Sequence, residues 1–600
     1  MPFDTMARTT PGLADVAYTR LVDRFSTFGH RPSDTQWAAI RDLLDHLQAA
    51  ASGDLGRAVY LSAIPAGTGK SQSIAAFASS LLDDADHGSV GMLITVNRRT
   101  EAADMADQLS AFRNRLCVIT ADGTINAKGG HDVADEAQVC ICTQAALKRT
   151  TKTLAEASFD AAARFHYRGA RRAIVCWDEA FAFNRPVVLD ADTVSGLARA
   201  MRAQSVEAAT ILKRWSADVD ELTGLCTVPD FETLGVDFQR LEEAVGDRDE
   251  LVAQVKALAV ISGDAGFISR QGNASAVITH FPEIPHSLMP VIVTDASARV
   301  NASYAQMAQK VPIRWLKDAP KTYRNFTIRI VNTAASRSVY RDTRTPRGRN
   351  LLDMAARYIA SVPNTEEVLV IGYKGRFGMK GVVENDLEQA LRSRLRPEDR
   401  GRLRWLTWGR HTATNNHKHV RHVLLLGLNF VPRAAGHATS GAALNLDLRA
   451  HHPTEDQIKA VQDGMLMDAT LQALLRGNAR IGVDGDCGVM EAVIPQTRQT
   501  GLSYRQYRTM FPEVNVVADT VLLPPVPLKG RLKDLAEIVF RRLEAGETVL
   551  TNPSLYDELG MQRPNFAALI KKPEWQAYVA QLGLVPQRLK GNVMGLRMVP

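Results

Sequence analysis

Paired cysteines are missing from this chain. Cys117, Cys140, Cys142, Cys176, Cys226 and Cys487 form no Cys-x-x-Cys pair and no even framework. That argues against a structural zinc ribbon or an iron–sulfur cluster, and it suits a reducing cytoplasm, the expected location. Long apolar runs are missing too, since none approaches the roughly 18 residues that cross a bilayer. Met1-Pro2-Phe3-Asp4-Thr5 has no basic segment followed by an apolar stretch, so no secretory signal is expected. There is no internal repeat and no low-complexity tract. The chain's 600 residues exceed what one core organises, so three or four structural units are expected. A net charge of +7 and a pI near 9.0 are compatible with a polyanionic partner without requiring one.

What is present is an alternation of short apolar runs with helical ones. Residues 15–50 read as helical. The runs Ala58–Ile64, Gly91–Val96, Leu116–Thr120, Val139–Thr143 and Ala173–Trp177 then read as strands. Strands of this kind separated by helices belong to a parallel sheet covered on both faces. After Pro186 the pattern becomes mainly helical, with Leu241, Val245, Val252, Val255 and Ala259 on one stripe and a hairpin around Gln271-Gly272-Asn273. An apolar strand returns at Val291-Ile292-Val293-Thr294, so 187–286 reads as an insertion in a first α/β domain of residues 1–186 and 287–321. A second α/β unit spans 322–522, with strands at Thr327–Val331, Val368–Ile371, Arg404–Thr407 and Val423–Leu426. The proline-rich stretch Leu523–Pro527 opens a small helical module at 523–600.

The strongest chemical signal is Ile64-Pro65-Ala66-Gly67-Thr68-Gly69-Lys70-Ser71, between a strand and a helix. Ala66, Gly67, Thr68 and Gly69 form a loop whose backbone N–H groups close on phosphate oxygens. Lys70 reaches the β- and γ-phosphates, and the Ser71 hydroxyl ligates Mg²⁺. The usual first glycine is replaced by Ile64. A second signal is the apolar strand ending in Asp178-Glu179. Asp178 is the expected Mg²⁺ ligand and Glu179 the residue that polarises the attacking water. ATP and Mg²⁺ are therefore the expected ligands.

Asp178-Glu179-Ala180, followed by Phe181, resembles the Asp-Glu-Ala-His/Asp box of superfamily 2 helicases. The resemblance extends loosely over residues 28–182 and 290–485, in a form similar to helicases of phages and plasmids. It implies two RecA-like parallel-sheet domains clamping ATP, with a mainly helical insertion in the first and a helix-turn-helix-like module at the end. It also implies roles for particular residues. Gln36, 34 residues before Lys70, stands where the family's adenine-reading glutamine stands. Arg98 and Arg99 in Thr95–Thr100 resemble a segment that touches the nucleic-acid backbone, and Thr143 resembles another. Thr294-Asp295-Ala296-Ser297-Ala298 resembles the segment that couples ATP state to grip. Val368–Lys374 resembles the first motif of the second domain, and Thr412, Thr414 and Asn415 are candidate phosphate or sugar contacts. Gln472, Arg476 and Arg480 resemble the helix that supplies an arginine finger. Leu475 stands in place of its glycine and Arg480 lies one residue too far along, so Arg476 ranks first.

In the last module, Asn552–Met561 and Arg563–Lys572 fit helix-turn-helix spacing, with Asn552 or Ser554 as cap and Arg563, Lys571 and Lys572 as nucleic-acid contacts. A protein-docking tail fits the same residues. His417, His419 and His422 lack a Cys or acidic partner at metal-ligand spacing, so a basic turn is expected there. Cys140 and Cys142 point to one face of a strand, where core packing explains them. The expected function is an ATP-driven helicase or translocase on nucleic acid, DNA before RNA, with a protein complex formed through the insertion or the last module. Two other readings remain open: a DNA-packaging motor and a nonhydrolysing, nucleotide-dependent scaffold.

Overall fold

Five runs expected as strands, each rich in Val, Ile, Leu, Cys and Thr, are strands in the computed structural model. The structure describes residues 11–152, 159–246, 248–272, 274–341, 345–374, 376–377, 383–384, 386–409, 416–497, 501–519, 522, 528–582, 584–589 and 593–598. By internal contacts the chain divides into two units. One comprises Met1–Thr322, Phe430–Leu471 and Arg480–Cys487; the other comprises Tyr323–Asn429, Gln472–Ala479 and Gly488–Pro600. The fold is α/β, with a parallel sheet of the RecA-like kind in each unit. No helix among the described residues is long and apolar enough to cross a membrane.

The first unit is built on seven parallel strands. Their spatial order is Ile313–Trp315, Val59–Ser62, Val291–Thr294, Ile174–Asp178, Met92–Val96, Val139–Thr143 and Leu116–Ile119. Successive side chains of one strand enter opposite cores. Tyr60 joins the face covered by the helices Leu13–Thr27, Asp34–Ala51 and Lys70–Asp83, whereas Val59 and Leu61 join the face holding Phe165, Phe181 and Tyr304. Both faces are covered, so the inner strands are buried and largely apolar.

The insertion is less helical than its sequence pattern implies. Its helices pack on a four-stranded antiparallel sheet of order Asn184–Asp190, Ala274–Pro282, Ala265–Gln271, Leu225–Thr227. The single apolar stripe expected from Leu241 to Ala259 is two helices, Phe238–Val245 and Asp249–Ile261, broken at Gly246, whose φ is +57°. Residues 430–471, expected in the second α/β unit, pack with the first. The helix Arg433–Ala443 lies on the insertion's sheet, where Asn184 Nδ2 donates to the Ala442 carbonyl (2.8 Å) and Ile278, Ala438 and Leu448 form an apolar cluster.

The second unit carries six parallel strands in the order Leu403–Thr407, Val368–Gly372, His422–Leu425, Met490–Gln496, Phe326–Asn332, Asn515–Asp519. Met490–Gln496 and Asn515–Asp519 were not among the expected strands. Arg329 ties these two to its own strand through Glu491 (3.3 Å) and Asp519. The last module has a core of its own, including Leu535, Val539, Leu555, Phe566 and Trp575. It is not purely helical: the strands Val549–Thr551, Leu584–Arg588 and Met594–Met598 form an antiparallel sheet.

Candidate nucleotide site

The phosphate loop follows a buried strand and runs into the 14-residue helix Lys70–Asp83, whose first N–H groups have no partner within the helix. Gly67 and Gly69 take φ values of +84° and +113°, which side chains rarely tolerate. Space matters as well. A Cβ on Gly67 would fall 2.2 Å from the Arg480 carbonyl oxygen, and one on Gly69 would fall 2.4 Å from the Phe25 ring. Ile64, in place of the motif's first glycine, is fully buried in the core beside Tyr60 and Ile74. At that position the chain uses a packing residue.

Sheet order brings the acidic strand to this loop. Val291–Thr294 lies between the phosphate-loop strand and Ile174–Asp178, with Thr294 opposite both Ser62 and Asp178. Thr294 Oγ1 therefore donates to Asp178 Oδ1 (2.7 Å), while Ser71 Oγ donates to Asp178 Oδ2 (3.3 Å). Gln144 Nε2 donates to the Asp178 carbonyl (2.7 Å). Two cis ligands of an octahedral Mg²⁺ at about 2.1 Å lie about 3 Å apart. The Ser71 hydroxyl and the Asp178 carboxylate thus have the chemistry and spacing to share one such ion.

Glu179 is held from two sides. Its N–H donates to the Thr294 carbonyl (3.1 Å), and Asn97 Nδ2 donates to its carboxylate (2.6 Å). The residue sits at φ +76°, a conformation costing about 1 kcal/mol or more for a non-glycine. Lys70 loses hydration here, which lowers its pKa against the opposing pull of Asp178, Asp295 and Glu179. Phe181, where the resemblance expects His or Asp, is buried against Trp177 and Phe183. Its backbone makes the link instead: Phe181 N–H donates to Tyr304 Oη (3.0 Å), which donates to Asp295 Oδ2 (2.9 Å).

The two candidate arginines fall in different units. Arg480 belongs to the unit of the phosphate loop, with its carbonyl against Gly67. Burial lowers its pKa, and Glu179, Glu101 and Asp178 oppose that shift. The buried Lys321 ammonium donates to the carbonyls of Arg480 (3.0 Å) and Ile481 (3.1 Å), which seats this segment. Burial brings Lys321 down to about 8. Arg476 lies in the second unit, buried, with Nη2 donating to Gln472 Oε1 (3.0 Å) and Nε to the Gln472 carbonyl (3.1 Å).

Other expected residues take quieter places. Gln36 is buried, and its Oε1 accepts from Ser33 N–H (3.2 Å) in a helix capping box, so half of its carboxamide is already committed. His30 lies near Thr68 of the loop, and burial lowers its pKa. Arg98, expected to touch nucleic acid, faces Glu101 at 3.6 Å, whereas Arg99 is exposed and 3.8 Å from Asp122. Thr143 is buried, and its hydroxyl accepts from Ala146 N–H (3.2 Å). Thr412, Thr414 and Asn415 lie outside the described residues. His419 and His422 pair with Glu367 (3.0 Å) and Glu366 (2.9 Å).

Sequence reasoning missed Asn97, Glu101, Tyr304 and Lys321 as members of this neighbourhood. Burial, then the charge of Glu179, raises Glu101 from 4.5 to about 7. The folded chain holds that proton more tightly than the unfolded chain, so this group makes stability fall as pH rises from about 4.5 to about 7. Glu101→Gln is expected to raise Tm at pH 8, by an effect on the order of 1–3 kcal/mol, and to leave it unchanged near pH 4.5. Thermal melts at the two pH values check this; an equal shift at both would refute it.

No family model and no curated protein matches this sequence. Solved structures similar to this chain include helicases. An apo XPD structure is 12% identical, covering 80% of this chain and 99% of that one, with a TM-score of 0.45. An XPD helicase is 12% identical over 82% and 100%, with a TM-score of 0.44. The Mycobacterium smegmatis helicase Lhr, bound to single-stranded DNA and AMP-PNP, is 12% identical over 98% and 60%, with a TM-score of 0.35. At such values the chemistry rests on the residues.

Proposed function

We propose that this chain is an ATP-driven translocase or helicase on nucleic acid, DNA before RNA. The observation that carries the reading is the set Ser71–Asp178–Thr294–Glu179–Asn97, closed beside a phosphate loop on which Arg480 is seated. Ser71 and Asp178 would hold Mg²⁺, which would supply charge neutralisation at the phosphate oxygens. Lys70 takes the β- and γ-phosphates. Asn97 fixes the Glu179 carboxylate, which orients water and accepts its proton. Arg480 meets the charge that develops on the transferred phosphoryl group. The Phe181–Tyr304–Asp295 relay ties the acidic segment to Thr294–Ala298, so a change at the phosphates is felt along that segment.

Arg99, exposed at a strand-to-helix turn, is the proposed backbone contact in this unit, with Thr412, Thr414 and Asn415 proposed from sequence. The test is the hydrolysis rate with single-stranded DNA, duplex DNA or RNA over a range of salt. Stimulation that weakens as salt rises is expected, because phosphate contacts release counterions. Equal rates with and without every nucleic acid would sink the motor reading, and unmeasurable turnover with both DNA and RNA would favour the nonhydrolysing scaffold.

A further inference from the structure

The last module plays no part in hydrolysis as described. Its elements run helix Arg531–Glu544, strand Val549–Thr551, helices Asn552–Glu558, Arg563–Leu569 and Pro573–Gln581, then strands Leu584–Arg588 and Met594–Met598. Met594–Met598 is central in the sheet, between Val549–Thr551 and Leu584–Arg588. A helix, a strand, a helix pair followed by a third short helix, and a closing hairpin in this order resemble a winged helix-turn-helix with one helix added. The cap of the first helix in the pair is Thr551, which accepts from Ser554 N–H (3.2 Å), rather than Asn552 or Ser554. The turn is tight. Gly560 takes φ +63°, and the N–H groups of Gly560 and Met561 return to the carbonyls of Asp557 (3.1 Å) and Tyr556 (2.9 Å).

Charge is divided across the module. Its acids are largely engaged on the first two helices and the turn between them: Glu558 with Arg541 and Arg542, Glu547 with Arg542, and Asp534 with Arg531 at 3.8 Å. The second helix of the pair differs. Phe566 and Leu569 face the core, while Arg563, Pro564, Asn565 and Ala568 are exposed, followed by exposed Lys571 and Lys572. From Arg563 to Lys572 there is no acid. Among the described residues, Arg563, Lys571, Lys572 and the wing residue Arg588 form no ion pair. A helix with a small, acid-free outer face and cations at both ends fits the DNA major groove, where it can approach base edges while its ends hold phosphates. An RNA duplex presents a deep, narrow major groove that excludes such a helix.

We propose that this module docks on duplex DNA. Asn565 and Ala568 face the base edges, and Arg563, Lys571, Lys572 and Arg588 hold the backbone. This deepens the motor reading by giving the chain a second, duplex contact apart from its nucleotide site. The test is fluorescence anisotropy of the full chain with labelled duplex DNA, single-stranded DNA and duplex RNA at several salt concentrations. The variant Arg563→Ala/Lys571→Ala/Lys572→Ala is expected to bind duplex DNA at least 10-fold more weakly. The slope of log affinity against log salt should become shallower by about 2–3. Its melting curve should match the parent's, because all three side chains are exposed. Lys70→Ala should bind duplex DNA like the parent, which separates this proposal from the motor reading. Unchanged duplex affinity in the triple variant would overturn the proposal and favour protein docking. An equal loss on duplex RNA would overturn the groove assignment.

Discussion

Replacing Glu179 by Gln is expected to slow ATP hydrolysis by about 10²–10⁴-fold while leaving ATP bound. Gln has the shape of Glu, and its carbonyl oxygen can still accept from Asn97 Nδ2, now 2.6 Å from the carboxylate. The backbone tie to Thr294 and the Ser71–Asp178 pair stay as they are. What disappears is the carboxylate that takes a proton from the attacking water. Single-turnover hydrolysis measures the loss, and filter retention of labelled ATP measures the binding. Wild-type turnover in Glu179→Gln would assign the proton acceptor elsewhere, with Glu101 next in line.

Arg480→Ala is expected to lower kcat by about 10²–10³-fold, the usual effect of removing one preorganised donor from developing charge. Arg476→Ala is expected to act chiefly on stability, because that guanidinium is buried on Gln472. Comparing kcat and Tm for both variants decides between them. A large kcat loss in Arg476→Ala with wild-type Tm, and none in Arg480→Ala, would restore the ranking drawn from spacing.

That ranking shows where sequence stops being informative. The phosphate loop and Asp178-Glu179 are contiguous, and their chemistry tolerates few alternatives at each position, so eight residues and then two sufficed to find them. Arg480 acquires its place from Lys321, 159 residues away in sequence, and from the lack of a side chain at Gly67, which lets the Arg480 carbonyl approach. No local period records such a pairing. The missing first glycine became intelligible only once Ile64 was seen filling the core.

Strands were lost for comparable reasons. Met490–Gln496 contains Glu491 and Pro495, which interrupt the apolar pattern, yet Glu491 is used by Arg329. Leu584–Arg588 contains Pro586, which belongs on an edge strand, and its strand is at an edge. The segment 430–471 was assigned by chain proximity. Its partners, however, lie in the first unit and include Asn184, Ile278 and Gln306. Helical periodicity locates an apolar stripe but does not say which surface receives it.

The insertion leaves the first sheet after Asp178 and rejoins it at Val291, on neighbouring strands. Its base is pinned where Glu283 and Ile284 donate to the Phe183 carbonyl (2.8 and 2.9 Å). The exit at Asp178 and the return at Val291 lie at opposite ends of two parallel strands, and the 2.7 Å bond between Thr294 and Asp178 joins those strands at the exit end. The strand that leads into the phosphate loop pairs with Val291–Thr294 on its other side. The carboxylate proposed to hold the metal is thus also the last residue of the sheet before the chain departs for the inserted domain.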